Sequence, residues 1–266
     1  NKTKMHTDYD AKHGSENELT RSNQECTKKP WIAKVITLYP EMFPGTLKFS
    51  ILGRALREHI WSLEILNLRE FGIGKHKNVD GPPCGGGPGM ILRPDVIDKA
   101  IQNATKGINL KKTNLPIINL SPRGYPFTNE IAKEFANADG ILIICGRFEG
   151  VDQRVIDKWR MREISLGDFI ISGGEIAAQA ILDSSVRNLP KVLGNHLSTK
   201  IESFNDGLLE YPQYTRPSDW NGYSVPDVLL SGNHQRISNW QTQKSIEITK
   251  DRRPDLIAKL KKNPKT

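Results

Sequence analysis

Between residues 31 and 188 the chain alternates short apolar runs with longer amphipathic stretches, and this alternation leaves few folds open. The runs at 31–38, 62–68, 116–120, 141–145 and 162–166 have strand length. The stretches 47–59, 94–106, 128–137, 151–159 and 174–188 place apolar residues at helical spacing. Successive strands separated by helices are joined by crossovers that return each strand in the same direction. The expectation is therefore an α/β domain over 31–196, built on a largely parallel sheet.

The flanks differ in composition. Residues 1–30 are polar, mixed in charge and nearly free of aliphatic side chains, so a flexible N-terminal extension is expected. The segment 197–206, within "LSTKIESFNDG", is sparse in large aliphatics and reads as an interdomain linker or a mobile active-site segment. Over 207–266, "VPDVLLSGNHQRISNWQTQKSIEI" and "RRPDLIAKLKK" carry apolar residues at helical spacing with Lys and Arg between them. That pattern suits a small helical domain whose basic face is either solvated or in contact with RNA. The formal charge of +8 favours a polyanionic partner.

No apolar run approaches the roughly 18 residues of a membrane span, and the N-terminal residues lack a signal-peptide core, so a cytoplasmic protein with no membrane partner is expected. Cys26, Cys84 and Cys145 form no CxxC pair and the histidines lack metal-ligand spacing. Neither a disulfide framework nor a structural metal is expected.

In a parallel α/β sheet ligands bind beyond the carboxyl ends of the strands. Three such ends carry glycines and unusual chemistry: "NLSPRG" (119–124), "CGRFEG" (145–150) and "SLGDFIISGGE" (165–175). Two opposite charges inside "CGRFEG" exceed what a turn requires. Neither GxGxxG nor GxxxxGK[ST] occurs, and the glycines of "GPPCGGGPGM" (81–90) fit neither spacing, so a classical dinucleotide site or P-loop is not expected.

"WIAKVITLYPEMF", "GGGPGM", "LSPRG", "CGRFEGVDQRV", "SLGDFIISGGE", "LGN", "ESF", "GLLEYPQYTRP" and "VPDVLLSGNH" occur in the order found in bacterial tRNA (guanine-N1)-methyltransferases, which the chain resembles from Trp31 into its C-terminal helices. The resemblance implies a trefoil-knotted SPOUT methyltransferase domain, one of the rare exceptions to unthreaded chains. It also implies a homodimer, S-adenosylmethionine held in the knot, and tRNA methylated on the guanosine immediately 3′ to the anticodon, a modification that maintains the reading frame. A divalent ion such as magnesium is left open.

The resemblance places Leu120, Ser121, Pro122, Gly124, Cys145, Gly146, Glu149, Gly150, Ser165, Leu166, Gly167, Phe169, Ile171, Gly173 and Gly174 on the cofactor. It places Asp80, Pro88, Gly89, Arg147 and Glu210 toward tRNA. Gly81 stands where the family commonly has a further acid, and Cys84 where it often has an aromatic residue.

Guanine N1 carries a proton at neutral pH, so its methylation calls for a base and for a cation to steady the charge developing toward O6. The family's arginine corresponds to Arg187 in "SSVRNLP". Its aspartate, ungapped from Ser203-Phe204, corresponds to Glu202, with Asp206 as the alternative base. Competing readings are a related methyltransferase of ribose hydroxyls and an RNA-binding protein without catalysis.

Overall fold

The computed structural model describes residues 29–193 and 202–262; residues 1–28, 194–201 and 263–266, and with them nearly all of the expected extension and half of the expected linker, lie outside the described residues. The chain opens with β1 (Trp31–Thr37), α1 (Ser50–Arg57) and β2 (Trp61–Asn67). A short antiparallel pair, β3 (Asp80–Gly81) and β4 (Ile91–Leu92), then encloses the glycine-rich loop. Next come α2 (Pro94–Ala104), β5 (Ile117–Pro126), α3 (Asn129–Ala136), β6 (Gly140–Ile144), α4 (Gln153–Trp159), β7 (Arg162–Ser165) and α5 (Gly174–Val186).

Strands β1, β2, β5, β6 and β7 form one sheet in the order β2-β1-β6-β5-β7, and every neighbouring pair is parallel. β6 lies at its centre and all five of its residues are buried, which is why its sequence is continuously apolar rather than alternating.

Side-chain alternation along the strands feeds two cores. Ala33, Val35, Ile141 and Ile143 face one layer with Leu52 and Ala55 of α1, Phe135 of α3 and Ile181 and Leu182 of α5. Ile36, Leu142 and Ile144 face the other, with Val96, Ile97 and Ile101 of α2 and Val155 and Ile156 of α4. Trp31 and Trp61 are buried with their indole N–H groups donating to the carbonyls of Phe135 and Leu52, both at 3.1 Å, so neither polar atom is stranded.

The structure departs from the expected elements in β5. The strand continues past residue 120 to Pro126, and Leu120 and Tyr125 both pair with Ile164, so residues 121–124 bulge outward between two contacts to one partner. Gly124 makes the return possible, since a Cβ there would lie 2.4 Å from the Ile164 nitrogen.

Beyond residue 202 lie a two-strand hairpin, β8 (Asp219–Trp220) and β9 (Tyr223–Ser224), and three helices, α6 (Asp227–Leu230), α7 (His234–Arg252) and α8 (Pro254–Lys262). Asn233 starts α7 by accepting from the Arg236 amide at 3.1 Å. The buried residues of α7 are Ser245 and Thr249 rather than its aliphatics. Thr249 is used twice: its hydroxyl donates to the Ser245 carbonyl at 2.6 Å and accepts from the Leu209 amide at 2.9 Å. Among the described residues no helix is long and apolar enough to cross a membrane.

Candidate active site

The carboxyl ends of β5, β6 and β7 converge on a cavity of about 310 Å³, within the size of small-ligand sites. Leu120, Ser121 and Pro122 line it from the bulge within β5. Gly146, Glu149 and Gly150 line it after β6, and Ser165, Leu166, Gly167, Phe169, Ile171, Gly173 and Gly174 after β7. The expected cofactor residues are thus brought together from three sequence segments, except two. Gly124 serves the return of β5, and Cys145 is buried behind the wall, its amide donating to the Ile36 carbonyl at 2.9 Å. Burial first, and the nearby Glu175 charge second, push the Cys145 thiol well above its ordinary range, so it stays protonated.

Asn119 also lines the cavity. Its amide nitrogen donates to Glu163 at 3.2 Å, while its buried Oδ1 has no hydrogen-bond partner. An acceptor left in this way suits a ligand that brings an N–H group. Gly146 and Gly174 let the chain segments approach closely: the Gly174 amide donates to the Gly146 carbonyl at 3.0 Å, and a Cβ on Gly174 would come 2.8 Å from the Cys145 Cα.

The glycine-rich loop is tied to the same place. The Glu149 amide donates to the Met90 carbonyl and the Leu92 amide to the Gly150 carbonyl, both at 2.9 Å. A Cβ on Gly89 would lie 2.6 Å from the Glu149 Oε1. Of the residues expected toward tRNA, Gly89 therefore abuts the cavity wall, Pro88 is exposed beside it, and Asp80 pairs with Leu92 in the enclosing hairpin. Arg147 does not pair with Glu149. It is held inside, against Glu175, with its Nη2 2.8 Å from a carboxylate oxygen.

Arg187 and Glu202 meet elsewhere. Arg187 follows the last turn of α5, and its Nη1 and Nη2 donate to the two Glu202 oxygens at 2.9 and 2.6 Å. Hydrogen bonding to Glu202 raises the Arg187 pKa above its ordinary value, against an opposing effect of burial. Glu202 opens a turn closed by Asn205 donating to its carbonyl at 3.3 Å and by the Phe204 amide donating to Leu208 at 2.8 Å. Glu210, expected toward tRNA, belongs to this turn, its amide donating to the Ser203 hydroxyl at 2.9 Å. Because α5 lines the cavity with Gly174 and Ala177, the 1.5 Å rise per residue sets Arg187 about 15 to 20 Å from those residues along the helix axis.

The family model described as tRNA (Guanine-1)-methyltransferase TrmD matches residues 32–259. The chain belongs to that family. A tRNA (guanine-N(1)-)-methyltransferase of Cereibacter sphaeroides strain KD131 is 52% identical over 229 residues, covering 86% of this chain and 92% of the relative. The proteins of that name from Jannaschia sp. strain CCS1 and Agrobacterium fabrum strain C58 are 53% and 49% identical, with 89% and 88% of this chain covered and 96% and 98% of theirs.

Two features were absent from the sequence expectations. Glu175 is fully buried at the start of α5 and bridges Thr37 and Arg147. Its signal was the single charged residue in the mostly apolar run "GGEIAAQAIL". The β8–β9 hairpin turns on Asn221-Gly222, both with positive φ, and an Asn-Gly pair between aromatic residues is a legible hairpin signal.

Proposed function

We propose that this chain transfers a methyl group from S-adenosylmethionine to N1 of the guanosine immediately 3′ to the anticodon of tRNA. The observation that carries the reading is the two-pronged Arg187–Glu202 pair. It supplies the carboxylate and cation that N1 methylation requires, in a position where the family pattern has aspartate. S-adenosylmethionine, when bound, supplies the electrophilic methyl. Glu202 accepts the N1 proton, and Arg187 moves its hydrogen bonds toward the charge developing at O6.

The cavity beyond β5, β6 and β7 fits the cofactor on its own chemistry. The unpartnered Asn119 Oδ1 accepts from an amine, Glu149 adds negative charge suited to a cationic ligand, and Leu166, Ile171 and Ala177 supply apolar wall. In this reading the double pairing of Leu120 and Tyr125 to Ile164 marks the trefoil crossing, with the 165–174 segment threaded beside it. Residues 31–196 form the catalytic domain, 197–206 the linker and 207–266 an RNA-binding helical domain, with Asp80, Pro88, Gly89 and Glu210 facing tRNA.

A separation of about 15 to 20 Å along α5 between Arg187 and the cavity of the same chain is too large for methyl transfer. We infer that the protein works as a homodimer, with Arg187 and Glu202 of one copy completing the cavity of the other. Phe169, Ile170 and Ile176, all exposed beside the cavity and the start of α5, supply an apolar surface for that contact.

The test is to incubate the protein with methyl-labelled cofactor and unmodified tRNA transcripts, with and without magnesium, and to map the product. Label on N1 of the guanosine 3′ to the anticodon is expected. Label on a ribose hydroxyl, or none, would overturn the reading.

A further inference from the structure

Glu175 has no exposed surface, and a buried carboxylate without partners is strongly unfavourable. It draws on two segments besides its own. The Thr37 hydroxyl at the end of β1 donates to Oε1 at 2.7 Å, and Arg147 Nε, from the turn after β6, donates to the same oxygen at 3.3 Å. Arg147 Nη2 lies 2.8 Å from Oε2 but off the direction of a hydrogen bond, leaving that oxygen a close ionic contact.

The guanidinium is committed on its remaining sides. Its Nη1 donates to the Ser172 carbonyl at 3.1 Å, and its plane lies over the Tyr39 ring, 4.3 Å from the centroid. Gly173 gives way to it, since a Cβ there would sit 2.2 Å from Nε. Gly146 and Glu149, which flank Arg147 in the turn after β6, and Ser172 and Gly174, in the segment it bonds to, all line the cavity, as does Arg147 itself.

We propose that Glu175 and Arg147 are a positioning pair that sets the spacing of the cofactor cavity, and that Arg147 serves the cavity rather than the RNA surface. This rests on the reading of the cavity as the cofactor site. Turning Arg147 toward a phosphate would strand the Glu175 charge in the core, whereas in place it links β1, the turn after β6 and the entry to α5 through one carboxylate. The Cys145 thiol registers the same charge, which adds to burial in raising its pKa.

The test compares Glu175→Gln, Arg147→Gln and the double variant with the parent protein, measuring thermal midpoint, cofactor affinity by calorimetry, single-turnover rate at saturating cofactor, and tRNA affinity at two salt concentrations. Each single change is expected to lower the midpoint and weaken cofactor binding about tenfold or more, roughly 1.4 kcal/mol. The double variant is expected to recover the midpoint, because no unpaired charge remains, but not the cofactor affinity. Its rate at saturating cofactor should fall by a smaller factor than its cofactor affinity, and its tRNA affinity should stay near parental.

A double variant that regains cofactor affinity along with stability would reduce the pair to a structural role. Arg147→Gln that weakens tRNA binding and lowers its salt slope, with cofactor binding intact, would make Arg147 an RNA contact; either result overturns the proposal. If a single variant does not fold, the double variant and Glu175→Asp, which keeps the charge and retracts it from Thr37, carry the test: both should fold with weakened cofactor affinity. Gly146→Val serves as the control for the cavity. Should it bind cofactor normally, the site reading itself has failed, whatever the pair does.

Discussion

The Arg187 guanidinium and the Glu202 carboxylate meet edge to edge, at 2.9 and 2.6 Å, each about a third exposed. This planar, two-pronged match fixes the orientation of both groups better than a point contact would. Glu202→Gln is therefore expected to retain tRNA and cofactor binding while slowing single-turnover methyl transfer by roughly two or more orders of magnitude. Glu202→Asp should recover part of that rate. Arg187→Ala should slow chemistry too, and the combined variant should be less than additive because both groups act on one charge. Asp206→Asn should leave the step nearly unchanged; if it fails while Glu202→Gln reacts normally, the base is Asp206.

Gly89 couples the glycine-rich loop to the cavity through close approach. Its φ is +86° and a Cβ would lie 2.5 Å from the Glu149 Cγ, so alanine is disfavoured by both backbone and space. Gly89→Ala should displace Glu149 and weaken cofactor binding about tenfold. Calorimetry showing parental affinity would mean that Glu149 does not face the cofactor.

Burial and the Glu175 charge keep the Cys145 thiol protonated, and it is the thiolate that reacts. At pH 8 a thiol reagent should label exposed Cys84 in the native protein and reach Cys145 only after denaturation. Peptide mass mapping reads each site. Labelling of native Cys145 at a rate matching Cys84 would contradict its placement behind the cavity wall.

Much of this was legible in the sequence because the signals were local. The apolar runs gave β1, β2, β6 and β7 to within a few residues, and the glycine-bearing strand ends converge as their shared position beyond a parallel sheet requires. The remainder depends on long-range contacts. The continuation of β5 to Pro126 follows from a second pairing, Tyr125 with Ile164, 39 residues on, and no local pattern marks it. The inward commitment of Arg147 follows from Glu175, twenty-eight residues away. In α7 a buried Thr249 is secured by a hydroxyl that binds both its own helix and Leu209, whereas apolar periodicity points to the aliphatics.

The net charge of +8 gains a function if it meets phosphates. Transfer RNA affinity should then fall steeply with salt, each neutralised phosphate adding about 0.7 to 0.9 to the logarithmic slope. Cofactor affinity should barely move across the same range. Equal slopes for the two ligands would place the basic residues away from the RNA.

The distance along α5 makes a stronger demand. If Arg187 and Glu202 complete the cavity of a second copy, the two halves of a site can be supplied by two different damaged chains. Gly146→Val puts a branched side chain on the cavity lining, its Cβ already tight at 3.1 Å from the Leu120 carbonyl, and is expected to block the cofactor while keeping the Arg187–Glu202 pair. Glu202→Gln keeps the cavity and loses the base. Each variant alone should be nearly inactive. Mixed in equal amounts and allowed to exchange, half of the dimers should be mixed, and each of those should hold one intact site, giving about a quarter of the parental activity. A site built within one chain makes the opposite forecast, because every site in a mixed dimer would then lack either its cavity or its base. Recovered activity in the mixture therefore identifies the shared site, and a mixture as inactive as its components would refute it.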